Sequence, residues 1–295
     1  MDEGLKIYKL AKDKETKGNH KEAIRLYEYL KAKKLFENGL DTKLIHLYNI
    51  TKQFTKSLPL IVSQLNGIKD KKSTSYAKLM HQYAIAMYGL DQTHEADVLL
   101  LIAFQIYEAL GMCNTLQYAQ ALVTRGKRQY VQELYAKSID TFNSAKKIVD
   151  EGKNNYVHFN VMIRVELSIS YQKTGQFYFA ENMLLEARMI SKAHYTRGKT
   201  LLDLAKLYMN INKYNLALPC LYEAKRNKQN VDALIALAKK MIHYGEVKRL
   251  VDNSWVKHRR DMLECDCCRK RFAVLNVSQD GIKYCDGEEC VKNTK

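Results

Sequence analysis

The chain has 295 residues, with 48 Lys and Arg set against 32 Asp and Glu for a formal net charge of +16. Two prolines and 13 glycines leave few helix breakers, and strand-like alternation is absent until the last thirty residues, which excludes a β-rich fold for most of the chain. No apolar run is long enough to cross a bilayer and the opening MDEGLKIYKL lacks the apolar stretch of a signal peptide, so a cytoplasmic protein is expected, with the nucleus also open.

In chain order, Leu10 and Ala11, then Gly18, His20, Ala23 and Tyr27, read as one helix face, a turn and the matching face of a second helix. A weaker copy follows in Leu44, Tyr48, Phe54, Ser57 and Ile61, where Pro59 is expected to interrupt the second helix. The third copy is Tyr83, Ala84, Met87, Ala96, Leu100 and Ala103; the fourth is good only in its second half, Tyr135, Ser138, Phe142 and Ala145. The fifth is the clearest: Leu167, Ser168, Tyr171, Gly175, Phe177, Ala180, Leu184, Ala187. The sixth repeats it in Leu204, Ala205, Tyr208, Asn212, Tyr214, Ala217, Leu221 and Ala224. The seventh, Leu237, Ala238, Met241, Gly245, Val247 and Leu250, fades into a closing helix. Small residues belong where two helix axes approach closely, and aromatics fill the gap beside them. Copies lie about 34 residues apart at both ends and further apart in the middle, which predicts longer helices there.

This pattern resembles the tetratricopeptide repeat, and the resemblance covers nearly everything before Asp261. It implies an all-α right-handed superhelix of about seven helix pairs over residues 1–260. Each pair stacks on the next to bury the face it cannot bury alone. The first helices would line a concave groove and the second helices the convex back. Such a groove holds an extended peptide or a partner's helix. On the first helices, the face opposite the packing pattern carries His81, Tyr88, Lys127, Tyr130, Gln172, Lys173, Lys206 and Asn210. The expected partner groove is Tyr88, Lys127, Tyr130, Lys173, Lys206 and Asn210, a set of lysines, rings and an amide suited to an acidic peptide. The array holds no acid–base pair, nucleophile constellation or phosphate-cradling glycine loop, and its histidines have no regular spacing. A non-enzymatic scaffold or adaptor in a larger assembly is expected.

A different chemistry begins at Cys265. Five of the seven cysteines, Cys265, Cys267, Cys268, Cys285 and Cys290, fall in the last 31 residues. A C-x2-C pair, sixteen intervening residues and a C-x4-C pair can direct four thiolates at one ion. RFAVLNV and GIKYC are strand-like, with SQDG as a hairpin turn between them. Knuckle, hairpin, knuckle resembles a zinc ribbon. Tyr284-Cys285 followed by Glu289-Cys290 also resembles part of a MYND-type finger, but with wider spacing and no second ligand set. The expectation is one structural zinc on Cys265, Cys268, Cys285 and Cys290, with Cys267 the spare or the substitute for Cys265, in a small β-hairpin module over 261–295. About thirty residues bury too little area to fold unaided, so the ion would supply the folding energy. Ubiquitin-ligase RING modules need eight ligands, and after His258 this chain has five cysteines and no histidine. Cys113 and Cys220 are expected to be buried packing residues on repeat helices. The alternative to a protein-binding scaffold is a nucleic-acid binder, because Lys257-His258-Arg259-Arg260 and Arg269-Lys270-Arg271 concentrate charge around the cysteines.

Overall fold

The computed structural model describes residues 3–36, 39–152, 156–191 and 194–245, together with four two-residue strands in the tail. Thirteen helices lie among the described residues. They begin with α1 (Glu3–Thr16), α2 (His20–Ala32), α3 (Leu40–Ile50), α4 (Phe54–Gly67), α5 (Thr74–Gly89) and α6 (Thr93–Ala109). They continue with α7 (Leu116–Val131), α8 (Tyr135–Glu151), α9 (Val157–Lys173), α10 (Phe177–Ile190), α11 (His194–Asn210) and α12 (Tyr214–Arg226), and α13 covers 232–245. The chain divides into two compact units, Met1–Thr200 and Leu201–Lys295, with α11 crossing the boundary. In the first unit α1–α10 form five helix pairs, and the second helix of each pair also packs on the first helix of the next. As the spacing predicts, α5 to α9 run 16 or 17 residues against 11 to 14 for α1 to α4.

Every turn inside a pair is built alike. Two residues past the end of the first helix stands one with positive φ: Gly18, Lys52, Asp91, Glu133, Gly175 and Asn212 in the six successive pairs. The amide of the following residue then donates back to a carbonyl five positions earlier, as from Asn19 to Lys14 (2.9 Å), Gln53 to Tyr48 (2.8 Å) and Gln176 to Tyr171 (2.9 Å). Gln92 to Met87, Leu134 to Gln129 and Lys213 to Tyr208 complete the set. This closure satisfies helix-end carbonyls that would otherwise be orphaned. It also fixes a frame. Seven residues before each left-handed position stands Ala11, Ile45, Ala84, Gly126, Ser168 or Ala205, and five residues after it stands Ala23, Ser57, Ala96, Ser138, Ala180 or Ala217, all buried. Nine after it stands the large partner: Tyr27, Ile61, Leu100, Phe142, Leu184 or Leu221.

The seam of small residues is the core. In the fourth pair it uses Gly126, where an added Cβ would lie 2.7 Å from the Phe142 ring; the backbone carbonyl of Gly126 accepts a hydrogen bond from Ser138 (2.9 Å). Three expectations need correcting. Pro59 does not interrupt α4; it is the sixth residue of a continuous helix, as Pro219 is in α12. Each proline forfeits one backbone bond near the start of the helix. The buried faces around them, Ser57 with Ile61 and Ala217 with Leu221, hold the helices through that gap. Leu10 and Leu237 match the pattern yet are 47% and 46% exposed, unlike the fully buried Leu167. Cys113 is exposed in the α6–α7 turn and not on a helix, whereas Cys220 is buried as expected. Val247 and Leu250 lie outside the described residues.

In the tail, β1 (Leu263–Glu264) pairs antiparallel with β2 (Arg271–Phe272), and β3 (Asn276–Val277) pairs with β4 (Lys283–Tyr284). The expected SQDG turn, between β3 and β4 in sequence, lies outside the described residues. The β1–β2 pairing is an additional hairpin that the sequence reading lacks.

The seam predicts that Ala180→Leu and Ala217→Leu each cost about 1–3 kcal/mol through overpacking, read from chemical denaturation. The turns predict the opposite sign elsewhere. Glu133→Gly relieves a left-handed backbone at a non-glycine residue and should raise stability by about 1 kcal/mol.

Candidate partner-binding surface

In the first unit the first helices touch one another, α3 with α5, α5 with α7 and α7 with α9. Polar side chains run between them like rungs. Lys43 on α3 reaches Glu15 on α1 (3.2 Å), and the Asn49 amide on α3 donates to Gln82 on α5 (3.0 Å). His81 on α5 meets the Thr124 hydroxyl on α7 (2.8 Å), and Lys127 on α7 pairs with Glu166 on α9 (2.8 Å). The first helices therefore form one layer.

From the third pair to the fifth, charge is sorted between the first helices and the second helices. α5 and α7 contain no Asp or Glu, and α9 contains only Glu166, already held by Lys127. The second helices carry the acids: Glu95, Asp97 and Glu108 on α6, Asp140, Asp150 and Glu151 on α8, Glu181 and Glu186 on α10. Many of these work as internal fasteners. Tyr88 on α5 donates to Asp97, and Tyr118 on α7 donates to Glu108 (2.9 Å); in the earlier pairs Tyr48 donates to Glu28 (2.6 Å). Burial, and then the carboxylate each phenol faces, raise Tyr88 and Tyr48 and push Tyr118 up to about 12, so these hydroxyls stay protonated donors.

The strongest fastener is Arg164, a buried arginine on α9. Its guanidinium takes Asp150 on α8 (3.0 Å), Glu186 on α10 (2.8 Å) and Asn160 on its own helix, while Lys146 adds a second cation at Asp150 (2.8 Å). Burial alone would raise the Asp150 carboxyl; the hydrogen bonds and charges of Lys146 and Arg164 outweigh it and hold the group below its ordinary value. Sequence reasoning passes over this cluster. The available signal is an arginine on the same helical stripe as Leu167 and Ser168, where apolar or small residues belong.

The expected groove residues divide. Lys173 is exposed on the layer, and Lys206 and Asn210 are exposed on α11 within the second unit. Lys127 is engaged by Glu166. Tyr88 turns toward α6, and Tyr130 stacks edge-on against Tyr135 of α8 (centroids 5.3 Å), so both rings serve the joint between paired helices. Gln172 is half-buried and His81 is buried. Lys78 on α5, absent from the sequence-based set, is exposed with no ion pair among the described residues. Cys265, Cys267, Cys268, Cys285 and Cys290, and the basic stretches beside them, lie outside the described residues.

Arg164→Ala removes the buried guanidinium that ties Asp150 to Glu186 and should cost about 1–3 kcal/mol, measured by urea unfolding. Because the Asp150 value is depressed on folding, its contribution is complete above the ordinary carboxylate range and drains away as pH falls through that range toward the folded value. Asp150→Asn should lack that acid limb.

No protein-family model matches the chain, and no curated protein matches its sequence. Solved structures do match its fold. The chain resembles the Cut9–Hcn1 hetero-tetramer of the APC/C (TM-score 0.60, 14% identity, 81% of this chain and 43% of that one). It also resembles the Rap protein complexed with Competence and Sporulation Factor (0.56, 14%, 69% and 57%). A third is the STAND protein PH0952 from Pyrococcus horikoshii with its tetratricopeptide repeat sensor (0.56, 15%, 69% and 31%). At these identities the likeness is one of fold: a tetratricopeptide-like helical array.

Proposed function

We propose that this chain is a non-enzymatic scaffold or adaptor that binds protein partners within a larger intracellular assembly, and that the first-helix layer of α5, α7 and α9 receives an acidic extended segment. The observation that carries this is the absence of carboxylates from α5 and α7, with the one acid of α9 already paired. Lys78 and Lys173 present ammonium groups there. Opposite charge on a partner raises its encounter rate and fixes its register, while a second basic partner is repelled. The fold supports the reading by analogy: Cut9 is seen with Hcn1, and Rap with its factor. Taken by itself, the second unit offers Lys206 and Asn210 as its own exposed groove residues.

For the tail we propose one structural zinc held by Cys268, Cys285, Cys290 and either Cys265 or Cys267. The β1–β2 register sets Glu264 opposite Arg271, on either side of the sequence that contains the first three cysteines, and β4 ends at Tyr284, next to Cys285. Four thiolates leave no open coordination position, so the ion would hold the hairpins and perform no hydrolysis. Purified protein should contain one zinc per chain, and Cys285→Ser should abolish it. A disulfide in the native protein, or two ions per chain, would refute this.

The partner class is tested by titrating a fluorescent Glu- and Asp-rich peptide and an RNA strand of equal charge at several salt concentrations. Lys78→Glu with Lys173→Glu should weaken the peptide at least tenfold while leaving the melting temperature unchanged. Lys127→Glu is unsuited to this purpose, because it would set a carboxylate against Glu166. RNA that binds more tightly than the peptide, with a steep log-linear loss in salt and no response to the lysine pair, would replace the proposal with the nucleic-acid reading.

A further inference from the structure

We infer that His81 makes the joint between the third and fourth helix pairs acid-labile, so that the first-helix layer parts between α5 and α7 when the imidazole takes up a proton. The side chain is 4% exposed, and its Nε2 lies 2.8 Å from the Thr124 hydroxyl across the joint. That hydroxyl donates onward to the carbonyl of Gln120 (3.2 Å), so its oxygen accepts from the ring and Nε2 carries the hydrogen. A neutral imidazole satisfies this arrangement. An imidazolium adds a full charge to a buried site where no carboxylate pairs with the ring among the described residues.

The surroundings make the charge uncompensated. α5 itself supplies Lys78, and α7 supplies Arg125, Lys127 and Arg128, with no carboxylate on either helix. α3 brings His46 and Lys43, and its one acid, Asp41, is paired with Lys31 (2.6 Å). α4 brings Lys56 and no acid. α6 brings His94 and Glu95, both exposed, and Asp97 and Glu108, which take the Tyr88 and Tyr118 hydroxyls. Burial, and then the field of His46, hold the His81 value down to about 4. A group whose value is depressed on folding contributes its stability above the unfolded value, near 6.5, and loses it as pH falls toward the folded value. That window lies above most of the carboxylate range, so it can be separated from the loss at Asp150. Parting α5 from α7 admits water to the ring and is the local route to relief.

Hydrogen exchange of the full chain, corrected for the intrinsic pH dependence of the amide rates, tests this at pH 7.5, 6.5, 5.5 and 4.5. Amides of α5 and α7 in the wild type should lose at least tenfold protection between pH 6.5 and 4.5, ahead of those in α9 and α10. His81→Gln keeps an N–H donor for Thr124 and cannot be charged; its loss over that interval should be under threefold. His46→Gln removes the neighbouring imidazole, whose own value burial also holds down, and should keep most of the wild-type fall. Should His81→Gln not fold, the imidazole signals of the wild type decide the matter. His81 must stay neutral to below pH 5 in the intact array while protection of α5 and α7 already falls from near pH 6.5, because the open form takes up the proton first. A variant that falls as steeply as the wild type, a wild type with no fall, or a His81 that titrates near 6.5 in an intact array would each overturn the inference.

Discussion

The array depends on two helix axes coming close enough for a methyl group or a hydroxyl to be all that separates them. Ala11 with Ala23, Ala84 with Ala96, Gly126 with Ser138 and Ser168 with Ala180 are that spacer in the first, third, fourth and fifth pairs, while the second pair sets Ile45 at the first of the two positions. Close approach lets a ring or a branched side chain on one helix reach across to the backbone of the other, as Phe142 does at Gly126. Apolar area buried this way is worth roughly 25 cal/mol per Å², but only if nothing bulky props the pair open. The turn and the small residues are therefore one device. The left-handed residue sets where the second helix starts, and a fixed offset from it sets where the spacers fall.

Carboxylates have a second structural task. They close the polar gaps that the seam leaves, accepting from tyrosines at Glu28, Asp97 and Glu108 and from Arg164 at Asp150 and Glu186. Within the first unit the middle of the first-helix layer is left with local positive charge because α5 and α7 have no acid to place there.

The pairs were legible because spacing is a property of the backbone. Ala180, Leu184 and Ala187 recur at helical intervals whatever their neighbours do, and the longer middle pairs show as longer gaps. Gly126 escaped notice because a glycine inside a helix reads as a weakness until Phe142 is seen against it. Pro59 misled for a related reason: propensity counts the lost bond and cannot see Ser57 and Ile61 holding the helix in place. The groove was the least legible part. A tyrosine or lysine on the outer arc of a helix can face solvent, the paired helix or the next repeat, and the choice rests on partners such as Asp97 and Glu166 that lie far away in sequence.

The constant offset from each turn has a geometric outcome for the middle of the first unit. From one left-handed residue to the next the chain takes 34 residues between Gly18 and Lys52, but 42 between Asp91 and Glu133 and again between Glu133 and Gly175. The extra eight amount to about one added turn in each helix of a pair, or about 5 Å of height per helix. Because the frame is anchored at the turn edge, the added length has nowhere to emerge except at the opposite edge. The array should therefore carry a step there, a raised sill formed by the end of α6, the start of α7 and the end of α8. A partner lying along the layer would meet that sill as a stop and could slide past only by lifting away. Register along the layer would then be set by the height of the wall as much as by its charge.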